Sequence, residues 1–109
     1  MGNRTANGDG AWKIERWLRP LAQLTPHSRL LLAETLSAML EAGDGPKAVA
    51  NALGIPRSTA EHRIQRVRCL FGEQLADRNA RVQLILALRY ILPRWRREAA
   101  YARKHPRAR

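Results

Sequence analysis

Between Arg57 and Arg66 the chain gathers three guanidinium groups (Arg57, Arg63, Arg66), the hydroxyls of Ser58 and Thr59, the imidazole of His62 and the carboxamide of Gln65. These groups donate and accept hydrogen bonds but do not form a reaction centre: no nucleophile-base set, paired carboxylates, phosphate-cradling glycine loop or metal-ligand cluster stands out. An enzyme is therefore the weakest reading, and no catalytic residue, cofactor, metal or small-molecule effector is expected. The forked Arg side chain matches phosphate oxygens and the edge of guanine. His62 has no cysteine or second histidine at metal spacing, so a nucleic-acid contact is expected of it before a metal. Cys69 reads as a surface or half-buried thiol.

Such groups read a surface only if an element holds them outward. Ala48, Val49, Ala52 and Leu53 give a short helix a compact apolar side on which a second helix can cross closely. Gly54 permits the left-handed conformation that ends a helix, Ile55 is an apolar plug, and Pro56 suits a new start. Ser58 followed by Glu61 has capping-box spacing, which starts the second helix at or just before Ser58, with Pro56 as the competing start. At about 100° per residue, Ala60, Ile64, Val67 and Phe71 share a buried stripe. Opposite them lie Ser58, His62, Gln65 and Cys69, flanked by Thr59 and Arg66 on one side and Glu61 on the other. Two helices, a tight turn and an exposed polar face are the grammar of a helix-turn-helix, with residues 57–71 as recognition helix in the major groove and residues 46–71 as the motif.

The predicted DNA contacts are Lys47, Arg57, Ser58, Thr59, His62, Arg63, Gln65 and Arg66. Arg57 is open to a guanine edge or a flanking phosphate. Arg63 lies nearer the buried boundary, where a phosphate contact and an internal salt bridge are both open. Glu61 reads as a cap bonding back toward Ser58 or as an acceptor for cytosine. Lys47, with the free N–H groups of its helix, is a phosphate candidate.

The charge distribution agrees. The 109 residues carry a formal charge of +11, of which the part before Pro56 holds +1 and the part from Pro56 onward +10. Affinity for a polyanion thus belongs to the second half. One cysteine excludes an internal disulfide and a cysteine-based zinc finger. No apolar run approaches the roughly 20 residues needed to span a bilayer, and no signal-peptide core follows Met1. A cytoplasmic protein is the simplest inference.

Along the chain, residues 1–10 read as a disordered leader, residues 11–92 as the domain and residues 93–109 as a basic C-terminal tail. Trp12, Ile14, Trp17, Leu18 and Leu21 approximate helical spacing until Pro20, which is expected to end or kink that helix. Thr25-Pro26 looks like an N-cap and first helical residue. Leu30, Leu31, Leu32, Leu36, Met39 and Leu40 make a long core helix that ends at Gly43-Asp44-Gly45-Pro46. Phe71-Gly72 closes the recognition helix, with Leu75 packing back from a surface loop over Glu73 to Arg78. A final helix is predicted from Asn79 to Leu92, broken or kinked at Pro93, with the Arg-rich stretch beyond it a solvated arm that adds nonspecific DNA affinity. The fold class is all-α, about five helices.

Several ordered motifs resemble the C-terminal DNA-binding domain of PucR-type (purine-catabolism and sugar-diacid) bacterial transcription regulators. They are Glu34-Thr35-Leu36, Leu40-Glu41-Ala42-Gly43, Ala50-Asn51-Ala52-Leu53, Arg57-Ser58-Thr59, Arg63-Ile64-Gln65-Arg66-Val67, Gly72 and the helix Arg81 to Arg89. The resemblance covers roughly Leu21 to Tyr90 and implies a DNA-binding regulatory module with contacts from Arg57, Ser58, Thr59, Arg63 and Arg66. Ala60 departs from the larger apolar residue usual there, Glu61 from a frequent basic residue, and His62 from a frequent aromatic. Members usually carry a sensory region upstream, so a stand-alone or truncated module is expected. A homodimer on a repeated half-site follows from two-fold logic and from apolar surface at Trp12, Trp17 and Trp95. Two alternatives are a promoter-reading module like that of sigma factors, contacting RNA polymerase, and a basic helical protein that binds membranes or polyanions through Trp95 and the Arg-rich end.

Overall fold

The computed structural model describes residues 14–106. The leader over residues 1–10 and Trp12 lie outside them. Residues 14–17 are helical, the run is interrupted at Leu18, and helix α1 (Arg19–Ala22) follows with Pro20 in its first turn. The interruption expected at Pro20 thus falls two residues earlier. Proline costs nothing in a first turn, because its missing N–H has no intrahelical partner there.

Helix α2 (Pro26–Glu41) starts as its sequence predicts: Thr25 is the N-cap and its hydroxyl accepts from the Ser28 N–H at 3.3 Å. It packs against α1 and against every later α-helix of the domain. That central position explains leucines on most of its faces, with Leu32, Leu36 and Met39 essentially inaccessible. Thr35 is equally buried, and its hydroxyl donates to the Leu31 carbonyl at 2.8 Å, so no polar group is stranded. At Gly43 (φ 134°) a Cβ would stand 3.3 Å from the Ala48 Cβ, so the turn into α3 (Pro46–Leu53) depends on the missing side chain.

Helix α4 (Arg57–Phe71) leads through a 3-10 helix, Gly72–Ala76, into α5 (Arg78–Lys104). The loop predicted over Glu73 to Arg78 is therefore mostly one tight helical turn, and Leu75 packs back on the core as expected. Asp77 caps α5 by accepting from the Ala80 N–H at 2.7 Å. Arg81 then ties the turns together, donating to the Leu75 carbonyl at 2.8 Å and to Asp44 Oδ1 at 3.2 Å.

The predicted break at Pro93 does not occur. Helix α5 runs 27 residues, straight through the proline and most of the expected solvated arm. Pro93 is exposed, as is Arg89, whose carbonyl loses its donor, so this turn of the helix faces solvent. The decisive gain lies just beyond it: Trp95 is 8% exposed. An aromatic that buries about 150–250 Å² contributes about 4–6 kcal/mol at about 25 cal/mol per Å², against about 3 kcal/mol for an interior proline. Propensity argued for a stop at Pro93, and tertiary burial overrides it.

Ion pairs lace the same two helices: Arg89–Glu41 at 3.0 Å, Arg96–Glu34 at 3.1 Å and Arg29–Glu98 at 2.6 Å. Trp95 is therefore not spare surface for a partner or a membrane. It lies beneath the Arg29 guanidinium, whose central carbon is 4.7 Å from the ring centroid.

Candidate nucleic-acid interface

The turn between α3 and α4 is built as its residues dictate. Gly54 takes the left-handed conformation (φ 65°, ψ 39°), and the Ile55 N–H donates back to the Ala50 carbonyl at 3.1 Å, closing the end of α3. This closure turns the Ile55 side chain inward, where it packs against the core as the expected plug. Pro56 is extended (φ −63°, ψ 151°) and Arg57 is the first helical residue.

Of the two starts open in the sequence, the structure takes the one just before Ser58, and the capping box is absent. Ser58 is already inside the first turn, so its hydroxyl is not in the N-cap position, and no side chain caps α4. Glu61 faces Arg57 instead, with 3.6 Å between carboxylate and guanidinium. Both groups are well exposed, so this pair contributes little stability. It does partly neutralise Arg57, one of the expected DNA contacts.

The facing directions agree with the 100° count. Ala60, Ile64, Val67 and Phe71 are buried, with Ala60 and Val67 wholly inaccessible. Ser58, His62, Gln65, Arg66 and Cys69 are exposed on the opposite side, while Thr59 and Arg63 are half-buried at its edge. Ala60, where the resemblance leads to the expectation of a larger apolar residue, is fully buried in the core. Lys47 is exposed in the first turn of α3.

Acidic side chains are distributed unequally. Glu34, Glu41 and Asp44 are engaged with arginines of α5, and Glu98 with Arg29 and Arg94. On α4, the side chains of Arg63, Arg66 and Arg68 have no ion pair or hydrogen bond among the described residues. Several arginines of α2 and α5 are thus paired within the chain, whereas α4 offsets its four arginines only through Glu61. Arg68 is the residue sequence reasoning missed: exposed in the last turn, on the flank shared with Arg57 and Glu61, it is a further phosphate candidate. Its angular position beside Arg57 and Glu61 is the signal that could have found it.

Among the described residues no group of His, Cys, Asp and Glu could hold a metal ion, and no helix is long and apolar enough to cross a membrane. A short helix, a glycine turn and a second helix with an exposed cationic face define a helix-turn-helix domain of the DNA-binding, transcription-regulating class. The chain belongs to the PucR C-terminal helix-turn-helix domain family, whose model matches residues 32–90. It is similar to the carbohydrate diacid regulator of Escherichia coli (strain K12), 38% identical over 80 residues that cover 72% of this chain and 21% of that protein. The chain thus spans about a fifth of the length of the curated relative it matches. No solved structure gives a significant match.

The family match covers α3, the turn and all of α4, together with most of α2 and the first half of α5. It supports the regulator reading over the sigma-factor-like and membrane-surface alternatives. The latter also needed Trp95 at the surface.

Proposed function

We propose that the chain is the operator-reading module of a bacterial transcription regulator, with α4 lying in the major groove of double-stranded DNA. The uncompensated positive charge on the exposed face of α4 carries this reading, because neutralising phosphates is the main source of DNA affinity and outward polar side chains supply the sequence preference. Gln65 and Arg66 face base edges together with Ser58 and His62. Thr59 and Arg63, half-buried at the edge, touch the sugar-phosphate backbone, as do Lys47 and Arg68 from the ends of the motif. Arg57, shared with Glu61, contacts the backbone or a guanine at the helix start. The chain acts without catalysis or a cofactor, and its place is with the DNA of the bacterial cytoplasm. A homodimer on two half-sites fits the general two-fold logic of helix-turn-helix motifs, although Trp95 takes no part in it. Likeness to the carbohydrate diacid regulator favours a role in controlling genes for small-molecule catabolism.

Selection of bound duplexes from a random DNA pool tests this reading. Enrichment of one motif, lost on Arg66→Ala, is the expected result. Failure to enrich any sequence with the wild-type chain overturns it.

A further inference from the structure

Helix α4 carries one acid, Glu61, among its four arginines. A carboxylate on a helix that meets DNA needs a reason, because every phosphate it approaches repels it. Capping is not that reason, since α4 starts at Arg57 and no side chain caps it. Stability is not either. The Glu61 carboxylate lies 3.6 Å from Arg57 Nε, too far for a hydrogen bond, and the two side chains are 55% and 68% exposed.

Its position suggests another role. Arg57, Glu61 and Gln65 form one i, i+4 row, all three exposed, that runs about 12 Å from the start of α4 at 1.5 Å per residue. Gln65 faces base edges in the reading given above, and Arg57 stands in the first turn, where recognition helices contact bases. A side chain between them in the same row meets the same groove floor. There the two side chains complement one base pair. Guanine offers O6 and N7 to a guanidinium fork, and the cytosine paired with it offers its N4 amino group to a carboxylate. In an A·T pair the purine has a donor, N6, where guanine has O6, so the fork of Arg57 loses one of its two acceptors.

We propose, resting on the reading of α4 as recognition helix, that Glu61 determines specificity by accepting from cytosine N4 while Arg57 donates to the guanine of the same base pair. In the free chain the ion pair keeps both side chains on the same flank of the helix. On a wrong base pair the carboxylate is desolvated without a donor, so Glu61 acts more by penalising other sequences than by adding affinity.

The test compares the wild-type chain with Glu61→Gln and Arg57→Ala, first by selection of bound duplexes from a random pool and then by fluorescence anisotropy on duplexes changed one base pair at a time. Both positions are exposed and their pair contributes little stability, so both variants fold as the wild type does. The wild-type chain is expected to enrich G·C at one position and to bind A·T there about 5- to 150-fold more weakly. Both variants are expected to lose that preference at the same position and to keep the others. An unchanged preference in Glu61→Gln, or a loss at a different base pair from that in Arg57→Ala, overturns the proposal and leaves α4 as the reader. A uniform gain of affinity in Glu61→Gln with every preference intact overturns it too, because Glu61 then only dilutes positive charge. A wild-type chain that enriches no sequence is the separate failure of the recognition-helix reading, and the role of Glu61 falls with it.

Discussion

Arg29 on α2 stacks over the ring of Trp95 on α5, 4.7 Å from its centroid, while its Nη2 donates to Glu98 Oε1 at 2.6 Å. The guanidinium is thereby held between an indole face and a carboxylate, and its side chain is only 17% exposed. Glu98 also accepts from Arg94 Nε at 2.9 Å, so one carboxylate organises two arginines. This cluster keeps α5 helical beyond Pro93 and anchors it to the start of α2.

Removing that carboxylate should be felt globally. Glu98→Ala leaves Arg29 largely buried without its counter-charge; a buried pair broken on one side costs about 3–5 kcal/mol, and partial exposure here reduces this to about 1–3 kcal/mol. Urea denaturation followed by circular dichroism reads the change. A chain truncated after Pro93 should lose more, because it also loses Trp95. An unchanged midpoint for that truncation would mean the segment adds nothing to the domain.

Gly54 and Gly45 separate conformational strain from space. A Cβ at either meets nothing within 4 Å, but Gly54 has φ +65° and Gly45 has φ −81°. Gly54→Ala is therefore expected to cost about 1–2 kcal/mol from the left-handed backbone alone, and Gly45→Ala no more than about 0.5 kcal/mol. Thermal melts of the two variants compare them directly.

Arginines paired inside the protein and arginines left free should differ in their effect on DNA affinity. Arg68→Ala is expected to weaken binding to all duplexes alike and to lower the slope of log K against log salt by about 1. Arg96→Ala, which removes a group already paired with Glu34 at 3.1 Å, should change affinity less than about threefold. Filter binding across a salt series distinguishes them.

The sequence made the motif legible because its signals are local. Gly54 ends a helix by its own backbone freedom, Pro56 fixes the next boundary, and the stripe from Ala60 to Phe71 follows from helical period alone. The end of α5 was illegible for the opposite reason. Whether a helix survives Pro93 depends on what Trp95 and Glu98 meet on α2, more than sixty residues earlier in the chain, and no local rule contains that contact. Glu61 lies between these cases: its spacing from Ser58 permits a cap, yet Arg57 at i−4 offers an ion pair, and a helix starting at Arg57 decides for the pair. The predicted contacts on α4 lie on its exposed face or at its edge. Arg68 was passed over because contacts were sought in the first turns of the helix, and it lies in the last.

The central claim is that α4 reads sequence, and Arg66 tests it most directly. Fluorescence anisotropy with the selected duplex and a scrambled duplex, at one fixed salt concentration, measures the preference of the wild-type chain and of Arg66→Ala. A base-reading Arg66 predicts a loss of about 1–3 kcal/mol on the selected duplex, roughly 5- to 150-fold, with little change on the scrambled one. An equal loss on both would make Arg66 a phosphate contact, and a wild-type chain that binds the two duplexes alike would contradict the account.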